Sequence, residues 1–302
     1  MLTQQVWRGR FTISLIFLSL CSALEAVKSI DFFDTLAGRY QYDPKSIFRL
    51  MGRELRDPQW EHVRRRAEKD ARGGLLKIYN VIGKSLSLMG EDLERLRQME
   101  LLLEASNLFP INENINLLEA GDWIVSDTYY SEAELRSLMC AVGIKDAAYN
   151  VHASINDKAS GAFWRDKAKF YGIQSHIGDN VHSDVNQALK YGIRARHYTD
   201  GRLNDFEQGL WNQGCQQLAA CCRMVRLRRP GHISEETWSV ETLNSLLSLL
   251  SRQGRLTEGL VKDQLQQMSQ PLAVAEMHNL IVNSLYFYPN LESEIRSAYG
   301  SY

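Results

Sequence analysis

Five short apolar runs, each closing on polar residues and each separated from the next by a stretch of helical spacing, constrain the fold of this chain more than any other feature. Residues 27–33, 122–127, 149–153, 174–177 and 192–197 read as β-strands. Between them, Ser131 with Glu134 at capping-box distance opens a helix whose apolar stripe is Leu135, Leu138 and Met139. Residues 161–170 and 183–189 read as helices as well. Strands that alternate with helices at this spacing return to one sheet through crossovers and therefore lie parallel. The expected fold class is α/β, a Rossmann-like parallel sheet with helices on both faces.

Two segments stand outside this alternation. Residues 46–55, 57–71, 75–88 and 91–105 have helical spacing, and Glu91, Asp92 and Glu94 open the last of them as the helix dipole favours. Residues 107–110 end it. The expectation is an all-helical insertion over 41–118, after the first strand, large enough to act as a lid. Tyr40, Tyr42 and Trp60 would serve it as core or as pocket wall. Beyond Asp200, residues 206–225 read as one long helix broken near Gly214, and Arg223, Arg226, Arg228 and Arg229 as its solvated basic end, or more pointedly as an anion or partner contact. Pro230-Gly231 marks a boundary. Residues 231–302 read as a helical extension, with Leu243, Leu246, Leu247 and Leu250 at apolar spacing and Pro271 opening another helix. Such an extension docks on the core, on a protein partner or on a second copy. The expected organisation is thus a core of 24–40 with 119–230, the insertion, and the extension.

The chain has 302 residues and a net charge of −1, which does not suit a general nucleic-acid binder. Its five cysteines lack metal-type pairing and form no disulfide framework, which fits a reducing, cytoplasmic setting. Arg8 and Arg10 followed by the apolar residues 11–23 have the outline of a signal peptide, so the alternatives are export or an N-terminal extension. No other stretch suits a transmembrane span.

The chemistry is expected at the strand ends. An acid that closes a buried strand is costly unless it is paired or bound to a metal. Asp31 is such an acid, at the carboxyl end of the first strand, where open α/β sheets place their ligands. Ser126 closes the second strand, Asp179 follows the fourth, and Lys158 lies between the third and fourth. Taken together and in order, Asp31-x-x-x-Thr35, Ser126 with Asp127, Lys158-Ala-Ser-Gly161 and Gly178-Asp-Asn-Val-His-Ser-Asp184 resemble the four motifs of the haloacid dehalogenase (HAD) superfamily over roughly residues 27–200. The run Ile30 to Leu36, Arg39, Ser126-Asp-Thr-Tyr129 and Ile177 to Asn180 is similar to the predicted HAD hydrolases that accompany bacterial surface-polysaccharide and glycosyltransferase genes. Arg65 to Glu68 and Ile78-Tyr79 fit that group's helical cap.

The resemblance implies roles. Asp31 would be the nucleophile that forms an aspartyl-phosphate. Ser126, with Asp127 and Thr35, would contact the substrate, and Lys158 would hold Asp31 and the phosphoryl charge. Asp31, the carbonyl of Phe33, Asp179 and Asp184 would bind Mg²⁺, with Asn180 and Ser183 ordering the surrounding shell. The substrate would be a small phosphorylated metabolite such as a sugar phosphate. The sequence departs from the superfamily at Phe33, where HAD phosphatases carry the acid/base Asp. Asp34, with His182 behind it, is the candidate replacement. Otherwise Asp34 caps the turn or binds Arg39. The competing readings are a metal-independent dehalogenase-type hydrolase and a catalytically weak HAD-fold binding module.

Overall fold

Ile30 and its neighbours form β1, Lys28–Ile30, the middle strand of a five-stranded parallel sheet. A computed structural model describes residues 27–228, 281, 283 and 285–299. The N-terminal residues 1–23, Arg229, Leu243 to Leu250 and Pro271 lie outside the described residues. β1 is shorter than the apolar run because the chain turns immediately after it. The amides of Leu36 and Ala37 both donate to the Phe32 carbonyl at 2.9 Å, while Asp31 N–H still reaches Ile177 O at 2.8 Å.

The other sheet strands are β4 (Trp123–Asp127), β5 (Asn150–Ser154), β6 (Ser175–Gly178) and β7 (Arg194–His197), in the order β5-β4-β1-β6-β7. Ile30 sits beside Ile124 on one flank and Ile177 on the other. Alternation along β4 divides the core. Ile124 joins Leu135, Leu138 and Met139 of the helix Glu132–Ala141, whereas Val125 joins Phe163, Trp164 and Ala168 of the wide, π-type helix Phe163–Ala168. Helices therefore cover both faces, as the strand–helix alternation predicts, and the Ser131–Glu134 capping box is formed.

The insertion contains α1 (Ser46–Leu55), α2 (Trp60–Ala71), α3 (Leu75–Leu86) and α4 (Gly90–Ser106). It is not all-helical. Its root is a two-stranded antiparallel ribbon of β2 (Ala37–Arg39) and β3 (Leu108–Pro110), so the chain enters and leaves through paired strands. Strands of three residues are too short to show a period of two, and Pro110 reads as a stop.

A buried charge anchors α2 beside its apolar stripe of Trp60, Val63 and Ala67. Fully buried Arg64 donates from Nε and Nη2 to Glu100 at 2.7 and 2.8 Å, and Tyr79 Oη donates to the same carboxylate at 2.7 Å. The guanidinium also lies 4.5 Å from the Phe48 ring centroid. This pairing is not legible in the sequence, because its partners stand 36 residues apart.

The basic end of the long helix is a second correction. The break falls at Gly214, as expected, between the helices Asp205–Asn212 and Gln216–Arg228. Arg223 is not solvated but fully buried, donating to Gly201 O at 2.6 Å, Arg39 O at 3.2 Å and the Asp34 carboxylate. Arg226 grips both oxygens of Glu207 at 2.8 Å. Of the C-terminal extension, the described helix Leu291–Tyr299 docks on this core, where Leu291 and Ile295 join Leu218 and Cys222. Tyr288 Oη donates to Tyr40 O at 2.7 Å. No described helix is long and apolar enough to cross a membrane.

Glu100→Ala removes the fully buried counter-charge of Arg64, leaving it only the half-exposed Glu68 at 3.0 Å, and is expected to cost about 3–5 kcal/mol in denaturant unfolding. Replacing the pair together, Arg64→Met with Glu100→Leu, should cost clearly less than the single change.

Candidate active site

The strand order reverses between β1 and β6, since the chain runs from β1 to β4 and β5 on one side and only then to β6 and β7 on the other. Loops leaving the carboxyl ends diverge at such a point and open a crevice. Asp31 follows β1 and Asp179 follows β6, so both stand at this crevice. Together with Asp184, one helical turn further on, they bring together three carboxylates, one oxygen from each lying within 4.8 Å of the other two.

Lys158 joins this group from the loop after β5. Its ammonium donates to Asp31 Oδ1 and, at 2.6 Å, to Asp184 Oδ1. Asp127 places that loop: its carboxylate accepts the amides of Lys158 and Ala159, each at 2.9 Å, and Ser154 Oγ at 3.2 Å. Expected to touch substrate, Asp127 lines the cavity but spends both oxygens on the loop.

Asp184 is held just as firmly. Its Oδ2 accepts Asn180 N–H at 3.0 Å, and Asn180 Oδ1 accepts the amides of His182 and Ser183 at 2.9 and 3.1 Å. His176, from the middle of β6, has Nε2 3.2 Å from Asp184 Oδ1 and Nδ1 2.8 Å from Ser29 Oγ. Burial keeps this imidazole neutral by lowering its pKa, against the pull of Asp184. A carboxylate can only accept, so Nε2 carries the proton and Nδ1 accepts from Ser29. The cue for His176 was available in the sequence as a titratable residue inside an apolar strand, which demands a partner. Gly178 makes the close approach feasible, since a Cβ there would stand 2.4 Å from Asp184 Cγ.

The charges are out of balance. Burial raises the Asp31 carboxyl well above its ordinary pKa; Lys158 opposes this, and Asp184 and Asp179 add to it. Burial, with Asp34 and Asp184 nearby, pushes Asp179 up to about 7. Asp184 moves the other way, because Lys158 and His176 outweigh its burial. Three clustered carboxylates against the buried Lys158 ammonium and the partly exposed Arg202 guanidinium, 3.6 Å from Asp179, suit a hard, oxygen-ligated cation. No hydrogen bond from a described residue ends on the Phe33 carbonyl, which leaves it able to serve as a further oxygen ligand.

The remaining predicted residues divide. Ser126 is buried and lines the cavity beside Asp31. Thr35, expected at the substrate, is fully buried and does not line the cavity; its carbonyl accepts Asn114 Nδ2 at 2.9 Å in the turn behind the site. The Phe33 ring faces the cavity with the Arg39 guanidinium 4.0 Å from its centroid. Asp34 takes the left-handed conformation, φ 58°, and its carboxylate binds Arg223 and lies 4.0 Å from Arg39. This is the geometry of an anchored turn. His182 Nε2 lies 3.0 Å from Ala159 O, on an exposed surface. The cavity measures about 760 Å³, and its other wall belongs to the helical insertion.

No protein-family model matches the chain, and no curated protein matches it either.

Gly178→Ala is expected to displace Asp184 and weaken divalent-cation binding roughly 10–100-fold, as changes behind a metal ligand typically do. Titration with Mn²⁺ followed by electron paramagnetic resonance reads this, with circular dichroism to confirm that the sheet is intact.

Proposed function

We propose that this protein is a Mg²⁺-dependent HAD-type hydrolase or phosphotransferase that acts on a small phosphorylated metabolite through an aspartyl-phosphate on Asp31, with the helical insertion as its cap. One observation carries this reading: Asp31, Asp179 and Asp184 converge within 4.8 Å, with Lys158 bonded to two of them, at the crevice where the sheet order reverses. A metal-independent dehalogenase has no use for that concentration of acid.

Asp31, Asp179, Asp184 and the Phe33 carbonyl would hold the ion. When bound, Mg²⁺ supplies charge neutralisation for the phosphoryl oxygens. Lys158 keeps one Asp31 oxygen fixed and leaves the other to attack phosphorus in line. The phosphorus–oxygen bond to the leaving alcohol breaks as the acyl-phosphate forms. Ser126 Oγ then donates to a phosphoryl oxygen, and the Lys158 ammonium offsets the charge that develops there.

Proton transfer is the weak step. Phe33 offers no proton, and Asp34 is committed to Arg223 and Arg39. The leaving oxygen therefore takes its proton from solvent, and water attacks the acyl-phosphate without a positioned base. Substrates with good leaving groups are favoured, and an acceptor hydroxyl competes with water. The same arrangement favours a second reading, a binding module with residual turnover.

Phosphatase activity on p-nitrophenyl phosphate should require Mg²⁺, vanish with EDTA and vanish in Asp31→Asn. Phe33→Asp should raise turnover towards the roughly 10²–10⁴-fold that a general acid/base contributes. Activity that survives EDTA with release of halide from a haloacid would overturn the metal-dependent reading.

The unaided second step makes a separate prediction. Acid quenching after mixing with ³²P-labelled acetyl phosphate should trap label on Asp31, at a level that drops in Phe33→Asp. Absence of trapped label during rapid turnover would count against it.

A further inference from the structure

The wall of the cavity opposite the acids is basic. Arg65, Lys69 and Arg72 line it from α2 and its C-terminal residue, and Lys45 lines it from the start of α1. Arg65 and Lys69 stand at i, i+4 on one face of α2, and Arg72, which ends the helix in the left-handed conformation at φ 42°, lines the same cavity. Arg66, on another face, is exposed and paired with Asp70 at 3.8 Å. By contrast, Lys45, Lys69 and Arg72 make no side-chain hydrogen bond or ion pair with any described residue, and Arg65 reaches only Glu61 at 3.5 Å. The one acid among them on this wall, Glu68, is bonded to Arg64 at 3.0 Å. The helix dipole accounts for cations in a last turn, but Arg65 stands mid-helix.

A phosphoryl group at Asp31 is already served by Lys158 and Ser126, and a cavity of about 760 Å³ leaves room for much more than that group. We propose that the α2 face is a second anion subsite, so that the substrate carries another phosphate or carboxylate at the end remote from the group Asp31 attacks. Guanidinium and ammonium groups bind either anion through charge-assisted hydrogen bonds. The inference rests on the phosphoryl-transfer reading for the event at Asp31, and specifies its substrate class as a bis-anionic phosphorylated metabolite.

Calorimetric titration of the Asp31→Asn protein in Mg²⁺ separates the two. Fructose 1,6-bisphosphate should bind roughly tenfold or more tightly than fructose 6-phosphate, the worth of about one net charge-assisted hydrogen bond. The same comparison of 6-phosphogluconate with glucose 6-phosphate tells whether a carboxylate satisfies the subsite. In Arg65→Gln/Lys69→Gln/Arg72→Gln the ratio should fall to about one, whereas Arg66→Gln should preserve it. A ratio near one for both pairs in the parent protein, or a ratio unchanged in the triple variant, overturns the subsite. A cap-dependent ratio in a protein that turns over no phosphoester when Asp31 is present supports the subsite and overturns phosphoryl transfer alone.

Discussion

The contact on which the site depends is the buried ammonium of Lys158, bonded to both Asp31 and Asp184. Three carboxylates withdrawn from water at the end of a parallel sheet would repel one another and be driven to protonate. Lys158 meets two of them at once, and their combined field keeps its own pKa raised against the effect of burial. The surrounding residues hold that contact in register. Asp127 fixes the Lys158 loop through two amides, Asn180 fixes the Asp184 turn, and His176 orients the Asp184 carboxylate from beneath. Gly178 supplies the space that the Asp184 side chain fills.

Buried arginines extend the same logic outward. Arg223 ties the Asp34 turn to Arg39 O and Gly201 O, Arg39 donates to Glu104 at 2.7 Å, and Arg64 holds Glu100. Each pair crosses between elements distant in sequence. Desolvation offsets much of the attraction in such pairs, so their main contribution here is register. A shifted helix would strand a charge in the interior. In this way the helical insertion, the turn after β1 and the helix Gln216–Arg228 take one arrangement around the cavity.

Position 33 sets the character of the proposed chemistry. An aromatic ring covered by a guanidinium occupies the place where the resemblance leads one to expect an acid, and the neighbouring carboxylate is anchored by two arginines. In the proposed reading, the assembly suits formation of an acyl-phosphate better than its hydrolysis. Transfer to an acceptor, or retention of a phosphorylated ligand, follows from that imbalance.

Local pattern made much of this legible. Strand–helix alternation determined the parallel core, because crossover connections leave few alternatives, and polar residues at strand ends singled out Asp31, Ser126 and Asp179, while Lys158, in a loop, was picked out only by the resemblance. Helix α1 was readable to the residue, and the break at Gly214 followed from glycine. Contacts between distant segments were not legible. The β2–β3 ribbon is too short to show a period, and the motifs that named Thr35 and Asp127 as substrate contacts could not show that Thr35 is buried off the cavity or that the Asp127 carboxylate, at the cavity wall, holds the Lys158 loop. Arg223 looked solvated because a run of arginines usually is, until packing surrounded it with acceptors from three other segments. The sequence by itself determined the sheet and the acids at its edge, since both follow from local periodicity and the cost of burying charge. Only the tertiary structure decided which charges pair and which face the cavity, because pairing depends on distances between residues far apart in the chain.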